Sequence, residues 1–363
     1  MRLNLRIALW NANGITNHTR EIEIFLQTKY LDLLLVSETH FTSRSFFKIN
    51  GYDFIHTNHP DDKAHAGSGI LIKSTIKYET LNGFQQNYLQ ATCLKLKCND
   101  GDLVVSSIYF PPRHTVHCKN YEDFFNTLGI RFIVGGDFNA KHPWWGSRLV
   151  NPKGTDLYKC LMNKNLSALS TGSPTHWPSD PRKNPDLLDF IVYKGIPNHK
   201  LEIRSCNELS SDHTPVLINF NVSVHLNTPR YHVLSSNTNI PLFQQYLDDN
   251  VNLNINIKSE IELDEAVEHF TTEIHNAANM STSIPNSSVQ QHFSNFDVSL
   301  EIRQLLREKR RLRKRWQISR HPFDKQLFNK SCKDLKILLN KCKNNKTSQF
   351  LEDINNSIYD EHL

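Results

Sequence analysis

The chain has 363 residues, 38% hydrophobic and 22% charged, a soluble globular composition with room for one full core and a second unit. No run approaches the roughly 18 consecutive apolar residues of a membrane span, and the first ten residues alternate like a strand instead of forming a signal peptide's apolar block, so the expected compartment is cytosol or nucleus. Seven cysteines at irregular spacings argue for reduced thiols over disulfides, and His114, His117 and Cys118 lack a second Cys/His pair at zinc-finger spacing.

The formal net charge of +5 is unevenly spread: residues 301–346 carry 16 basic and 4 acidic side chains, while 221–300 carry 2 and 9. A basic block therefore stands far along the chain from the candidate chemistry.

Apolar, β-branched runs at 3–10, 31–36, 69–73, 91–97, 103–109, 132–135, 190–193 and 216–220 read as strands. Helical spacing occupies 20–29, 121–128 and 155–163. The runs 91–97 and 103–109, joined by Asn99-Asp100-Gly101, predict an antiparallel pair and exclude an all-parallel dinucleotide-binding sheet. The pattern over 1–222 is thus a mixed α/β domain.

Past Phe220 the texture turns to Asn, Ser and Thr, with helical stretches near 241–250 and 262–279 and a linker-like break over 281–290. Residues 223–298 read as an acidic, partly helical connector. From 299 to 363 the run is basic and helical, interrupted at His321-Pro322, where proline ends or kinks the helix.

Five polar clusters stand at strand ends, where sheet-based enzymes assemble their sites. They are Trp10-Asn11-Ala12-Asn13-Gly14, Ser37-Glu38-Thr39-His40, Tyr109-Phe110-Pro111-Pro112, Gly136-Asp137-Phe138-Asn139-Ala140 and Ser211-Asp212-His213-Thr214, with Asp189 opening a further strand. Singly, each has a plain explanation as a turn, cap or strand terminator. Together they supply what metal-assisted phosphodiester hydrolysis needs. Glu38, Asp212 and the side-chain oxygen of Asn11 are plausible ligands for Mg2+, with Mn2+ as the alternative. Asp137 and Asn139, on alternate positions, project to one side, the first to orient or deprotonate water and the second to donate to a phosphate oxygen. Asp189 and His213 form a carboxylate–imidazole pair.

These residues resemble, in order over about 1–220, the exonuclease–endonuclease–phosphatase superfamily, which includes abasic-site repair endonucleases and DNase I-like enzymes. The resemblance implies a four-layer α/β sandwich and a DNA substrate. It also implies a metal site at Glu38 and Asn11 with Asp212 as a nearby carboxylate, a phosphate-contacting Tyr109, a water-activating Asp137 with Asn139, and His213 paired with Asp189.

Within that superfamily, Ser37-Glu38-Thr39-His40-Phe41, the stretch Gly136 to Ser147 and Ser173-Pro174-Thr175-His176-Trp177-Pro178 look most like the endonuclease domains of jockey-type non-LTR retrotransposons. Those elements nick target DNA and prime reverse transcription from the freed 3′ hydroxyl, which implies a nuclear site of action. For Trp144, Trp145 and Trp177, core packing and a DNA-facing role are equal readings. The basic stretch with Lys309, Arg310, Arg311, Arg313, Lys314 and Arg315 is expected to contact nucleic acid, the element's RNA included, or to act as a nuclear import signal; its bland alternative is a solvated helix face. Tyr246-Leu247-Asp248-Asp249 matches a reverse transcriptase's metal-site tetrad, but its flanks read as a helix end, and the chain is expected to stop before a polymerase would start. The competing functions are an abasic-site repair endonuclease, a lipid-headgroup phosphodiesterase and a catalytically silent nucleic-acid-binding remnant.

Overall fold

A computed structural model of the chain describes residues 2–227, 238–251, 259–282 and 299–360. The first stretch contains β1 (Arg2–Asn11), α1 (Thr19–Thr28), β2 (Leu33–Ser37), β3 (Tyr52–Thr57), β4 (Ser68–Lys73), β5 (Tyr78–Thr80), β6 (Phe84–Gln86), β7 (Leu89–Leu96), β8 (Leu103–Tyr109), α2 (Cys118–Asn126), β9 (Phe132–Asp137), α3 (Pro152–Asn163), β10 (Ser167–Leu169), β11 (Asp189–Lys194), β12 (Leu201–Ser205) and β13 (Val216–Val224).

The strands form two sheets, one in the order β12-β13-β1-β2-β4-β3 and the other β10-β11-β9-β8-β7-β5, with β6 pairing β7. Most neighbours are antiparallel. The parallel pairs β1–β2 and β8–β9 are those bridged by α1 and α2, since a parallel return needs a crossover. Facing side chains of the two sheets, among them Leu9, Leu35 and Ile70 from one and Val105, Ile133 and Ile191 from the other, bury a central core. The outer face of the first sheet is covered by α1 through Ile22, Phe25 and Leu26, and that of the second by α2 and α3 through Tyr121, Phe124, Leu157 and Leu161. These four layers place the central strands between two apolar faces, so β2 is buried at every position and carries a continuous apolar run instead of an alternating one.

A second, separate unit contains α4 (Ile240–Asn250) and α5 (Glu260–Ser281). Asn239 and Ser259 cap the two helices, each accepting a hydrogen bond from the backbone amide three residues on. Tyr246 to Asp249 lie inside α4, with the Tyr246 hydroxyl 3.2 Å from Glu273 on α5, so this tetrad occupies a helix and not a hairpin. Of the linker-like stretch 281–290, residues 283–290 lie outside the described residues.

The basic C-terminal segment forms α6 (Leu300–Ser319) and α7 (Pro322–Asp360), which reverse at Arg320, held in the left-handed conformation, and restart at Pro322. Both helices belong to the same compact unit as the residues up to Asn227. Ile302 and Leu306 of α6, Leu335 and Leu339 of α7 and Ile24 of α1 close one apolar cluster, and Leu312, Trp316 and Phe328 form another with Trp177 beside them. The basic segment therefore packs on the sandwich instead of standing apart from it. No helix among the described residues is long and apolar enough to cross a membrane, and all seven cysteines are free thiols.

Candidate active site

Strand register gathers the candidate residues. Asn11 stands beside Ser37 across β1–β2, Tyr109 beside Asp137 across β8–β9, and Asp137 beside Asp189 across β9–β11. The two sheets are stitched at this edge by serines. The Ser37 hydroxyl donates to the Ile108 carbonyl at 2.7 Å and accepts from the Asp137 amide at 3.0 Å, and the Ser107 hydroxyl donates to the Val36 carbonyl at 3.0 Å. Such an approach leaves no room for a side chain at Gly136, whose φ is +149° and where a Cβ would meet the Ile108 carbonyl oxygen at 2.1 Å.

The Asn11 amide NH2 donates to Glu38 at 2.8 Å and to Asp137 at 3.0 Å, while its oxygen accepts from the Asn13 amide at 3.1 Å. Reversing the amide would set its oxygen against two carboxylates, so this orientation is fixed by its partners. In this structure the Asn11 amide holds two carboxylates together. Burial works against the ionised form of Glu38, yet hydrogen bonds from His40, Asn11 and Tyr109 outweigh it and hold its pKa below the ordinary value. The Tyr109 phenol is pushed well up by burial and by the charges of Glu38 and Asp137, so it stays a donor.

Asp137 is 1% exposed. Burial first, then the charge of Asp189, raise its carboxyl to about 7, against the opposing pull of His213. Asn139 does lie beside it, with φ +46° and its amide NH2 3.2 Å from the Asp137 carboxylate and 3.1 Å from the Phe110 carbonyl. In this structure both amide hydrogens are given to protein acceptors, and Asn139 steadies Asp137.

His213 Nδ1 lies 2.7 Å from Asp189, and its Nε2 is 3.9 Å from Asp137. Burial would lower this imidazole, but Asp189, its hydrogen bond and the charges of Asp137 and Asp212 outweigh it and lift the pKa to about 10. His213 stands in two groups whose possible ligand atoms lie within 4.8 Å of one another, one with His176 and Asp212 and the other with Asp137 and Asp189. Asp212 is driven to about 2: burial resists ionisation, and His176 and His213 more than offset it. His176 Nε2 lies 3.6 Å from Asp212.

Sequence reasoning assigned no role to His176 or to Thr175, whose buried hydroxyl oxygen accepts from the Leu188 and Asp189 amides at 3.0 Å. Their loop is tied to the His213 loop by the Thr214 amide donating to the Thr175 carbonyl at 2.6 Å. The available signal was the segment Ser173–Pro178, which resembles the retrotransposon endonucleases although no role was drawn from it.

The tryptophans divide. Trp145 is 3% exposed and stacks on Phe190; the Trp177 indole donates to Thr214 at 3.0 Å and sits near Trp316. Only Trp144 of the three is solvent-exposed.

The basic cluster divides as well. Lys309 and Arg313 are fully buried, Lys309 paired with Glu21 and bonded to the Glu208 carbonyl and Ser210, and Arg313 bonded to the Ser211–Thr214 segment. Neither can reach a phosphate, which corrects the expectation for both, because each offsets polar groups that the sandwich would otherwise bury unpaired. Arg310 pairs with Glu208, and Arg315 with Asp324. Arg311, Lys314 and Arg315 keep the solvent-facing positions.

Glu38, Asp137, Asp189 and Asp212 thus bring four carboxylates to one cluster, and Asp189 Oδ1 is buried with no hydrogen-bond partner. An oxygen-rich donor set with unspent acceptors fits a hard divalent ion. The converging groups at this edge are Asp212 with His176 and His213, and Asp137 with Asp189 and His213; Glu38, partly exposed, is held beside Asp137 by Asn11.

A two-sheet sandwich with a histidine–aspartate pair and an acidic cluster at its strand ends is a phosphoesterase architecture. Residues 8–213 match the Endonuclease/Exonuclease/phosphatase family, and the chain belongs to it. Over 359 residues, 98% of its length, the chain is 32% identical to a probable RNA-directed DNA polymerase from transposon BS of Drosophila melanogaster. Over 350 residues, 96% of its length, it is 30% identical to the RNA-directed DNA polymerase from mobile element jockey of the same species. It spans 39% and 38% of those relatives, about two fifths of each. Among solved structures, the endonuclease domain of TRAS1, a telomere-specific non-LTR retrotransposon, is similar with a TM-score of 0.51 at 20% identity, covering 60% of this chain and 99% of that one. An AP endonuclease from Leishmania major has a TM-score of 0.51 at 12% identity, covering 60% and 88%. At these identities the structural likeness establishes the shared DNase I-like fold.

Proposed function

We propose that the chain is a divalent-metal-dependent DNA endonuclease, with Mg2+ the ion best suited to its oxygen donors, that nicks one strand and leaves a 3′ hydroxyl from which reverse transcription is primed. The observation that carries this reading is the buried pairing of His213 Nδ1 with Asp189 at 2.7 Å, with His213 Nε2 3.9 Å from Asp137.

The roles follow from charge and position. Asp137, whose carboxyl is raised by burial and by the charge of Asp189 and is thereby made more basic, takes a proton from the attacking water as the water's oxygen bonds to phosphorus. The bond from phosphorus to the 3′ oxygen breaks, the electron pair stays on that oxygen, and a solvent proton completes the hydroxyl; the other strand end keeps a 5′ phosphate. His213, held as a cation by Asp189, offers its Nε2 hydrogen to the charge growing on the phosphate oxygens. Tyr109 and Asn11 fix Glu38, and Asn11 and Asn139 fix Asp137. A divalent ion held by the carboxylates of this edge would supply Lewis-acid stabilisation of the phosphate charge.

The relatives' names support the priming role, since an RNA-directed DNA polymerase needs a free 3′ hydroxyl to extend. On this reading the site of action is the nucleus, and the outward cations of α6 (Arg311, Lys314, Arg315) are left for contact with DNA or element RNA. The test is relaxation of supercoiled plasmid with Mg2+, stopped by chelation, followed by polymerase extension of the nick without prior phosphatase treatment. Nicks that cannot be extended, or cleavage confined to duplexes carrying an abasic site, would overturn the reading.

A further inference from the structure

We infer that Arg313 is a positioning residue of the nuclease: from α6, about a hundred residues beyond the catalytic loop, it braces the backbone that aims His213 and Asp212. The inference rests on the endonuclease reading for its activity arm only.

The segment between β12 and β13 carries Ser211, Asp212 and His213, and part of its backbone has no strand to pair with. Buried carbonyls there need donors from elsewhere. Arg313, 0% exposed, supplies them. Its Nη1 donates to the Leu209 carbonyl, and its Nη2 to the carbonyls of His213 at 2.9 Å and Ser211 at 3.1 Å, with the Thr214 hydroxyl at 3.5 Å. All the hydrogen bonds that Arg313 makes go to this loop. From the sandwich, the Trp10 indole donates to the same His213 carbonyl at 3.2 Å, and Ser211 is anchored to the Asn11 carbonyl at 2.7 Å. The loop is thus gripped between β1 and α6.

The grip repeats along one face of the helix. Positions 309, 313 and 317, four apart, share a face. Lys309 donates to the Glu208 carbonyl and the Ser210 hydroxyl, and Gln317 to Thr214 at 3.2 Å. Beyond them, Arg320 donates to the carbonyls of Pro178 at 2.8 Å and of Asp180 and Lys183 at 3.3 Å, in the loop that follows His176. The planar guanidinium spreads five N–H donors over two terminal nitrogens and so reaches carbonyls at 209, 211 and 213 together, whereas a lysine's three donors radiate from one nitrogen.

The test is the full chain with Arg313→Lys and Arg313→Ala. Plasmid nicking gives kcat and KM, and hydrogen–deuterium exchange of the 206–214 backbone gives a readout that needs no activity. Arg313→Lys keeps the charge and loses the fork. Its kcat should fall about 10- to 100-fold, the cost of a small misplacement of a reacting group, with KM changed less than about threefold; exchange should accelerate in 206–214 and not in the central strands. Millimolar guanidinium, but not methylammonium, should restore part of the kcat of Arg313→Ala. Parental kcat and exchange in Arg313→Lys would overturn the inference. So would exchange raised evenly across the sandwich, with kcat lost in step with thermal stability and no rescue. If the parent itself does not nick DNA, the endonuclease reading fails while loop-specific exchange still decides the role of Arg313.

Discussion

Asp189 Oδ2 accepts from His213 Nδ1 at 2.7 Å, and the Asp189 backbone amide in turn donates to the Thr175 hydroxyl oxygen at 3.0 Å, so a buried chain of three residues sets the direction of one imidazole. Each link comes from a different segment. Asp189→Asn preserves the shape and removes the negative charge that holds the imidazolium. Nicking at pH 7.5 should fall about 10²- to 10³-fold with the Tm little changed. Activity within threefold of the parent would show that the pair is structural only.

The buried pair of Glu21 and Lys309 makes stability depend on acid. Burial resists ionisation of Glu21, but Lys309 and His18 outweigh it and lower its pKa from 4.5 to about 2. An acid depressed on folding stabilises above its unfolded pKa, so this contribution is complete above pH 4.5 and is lost as pH falls toward 2; its size is about 3 kcal/mol. Lys309→Met leaves a buried carboxylate without its main partner and should cost about 3–5 kcal/mol at pH 7, while Glu21→Gln combined with Lys309→Met recovers most of that loss. Denaturant unfolding between pH 3 and pH 7 measures both effects.

Gly136 lies where β9 meets both Ile108 and Ser37. An alanine there would be strained in φ and would press on a backbone carbonyl that cannot swing aside. Gly136→Ala should lower stability by about 3 kcal/mol, and nicking should fall with it because the Asp137 amide shifts off Ser37. A parental Tm would show that β8 and β9 can separate.

Trp144 and Trp145 should separate binding from folding. Trp145→Ala removes a buried ring stacked on Phe190 and an indole that donates to the Ala140 carbonyl at 3.2 Å; about 3–5 kcal/mol of stability should go. Trp144 is 43% exposed, so Trp144→Ala should leave the Tm alone. On the DNA-facing reading it raises KM for plasmid roughly tenfold through lost stacking on a base. An unchanged KM would remove Trp144 from the DNA surface.

The central strands were legible because burial on two faces writes a continuous apolar run, as in the Leu33–Ser37 stretch. The peripheral ones were not. β3 is only half-buried along most of its length, and β5 and β6 are three residues each with exposed Glu79, Gln85 and Gln86, so neither alternation nor an apolar block marks them. Asn11, Glu38, Tyr109, Asp137, Asp189 and His213 could be found because each lies at or just beyond a strand end. Their hydrogen-bond partners could not, because spacing along the chain does not say that Asn11 bridges Glu38 and Asp137 or that Asn139 turns back to Asp137 and the Phe110 carbonyl. Lys309 and Arg313 of α6 were misread because charge density carries no direction. A helical projection did hold the signal: Ile302, Leu306, Lys309, Arg313 and Trp316 fall on one stripe, and the two cations on it are the two that turn inward.

Arg313 also orders events in time. The carbonyls it serves are made 104, 102 and 100 residues before it, and at the ribosome's pace of about 5–20 residues per second the His213 loop waits roughly 5–20 s for its donors. On the proposed reading, a nascent chain halted before α6 emerges carries the His213 loop without the donors that brace it.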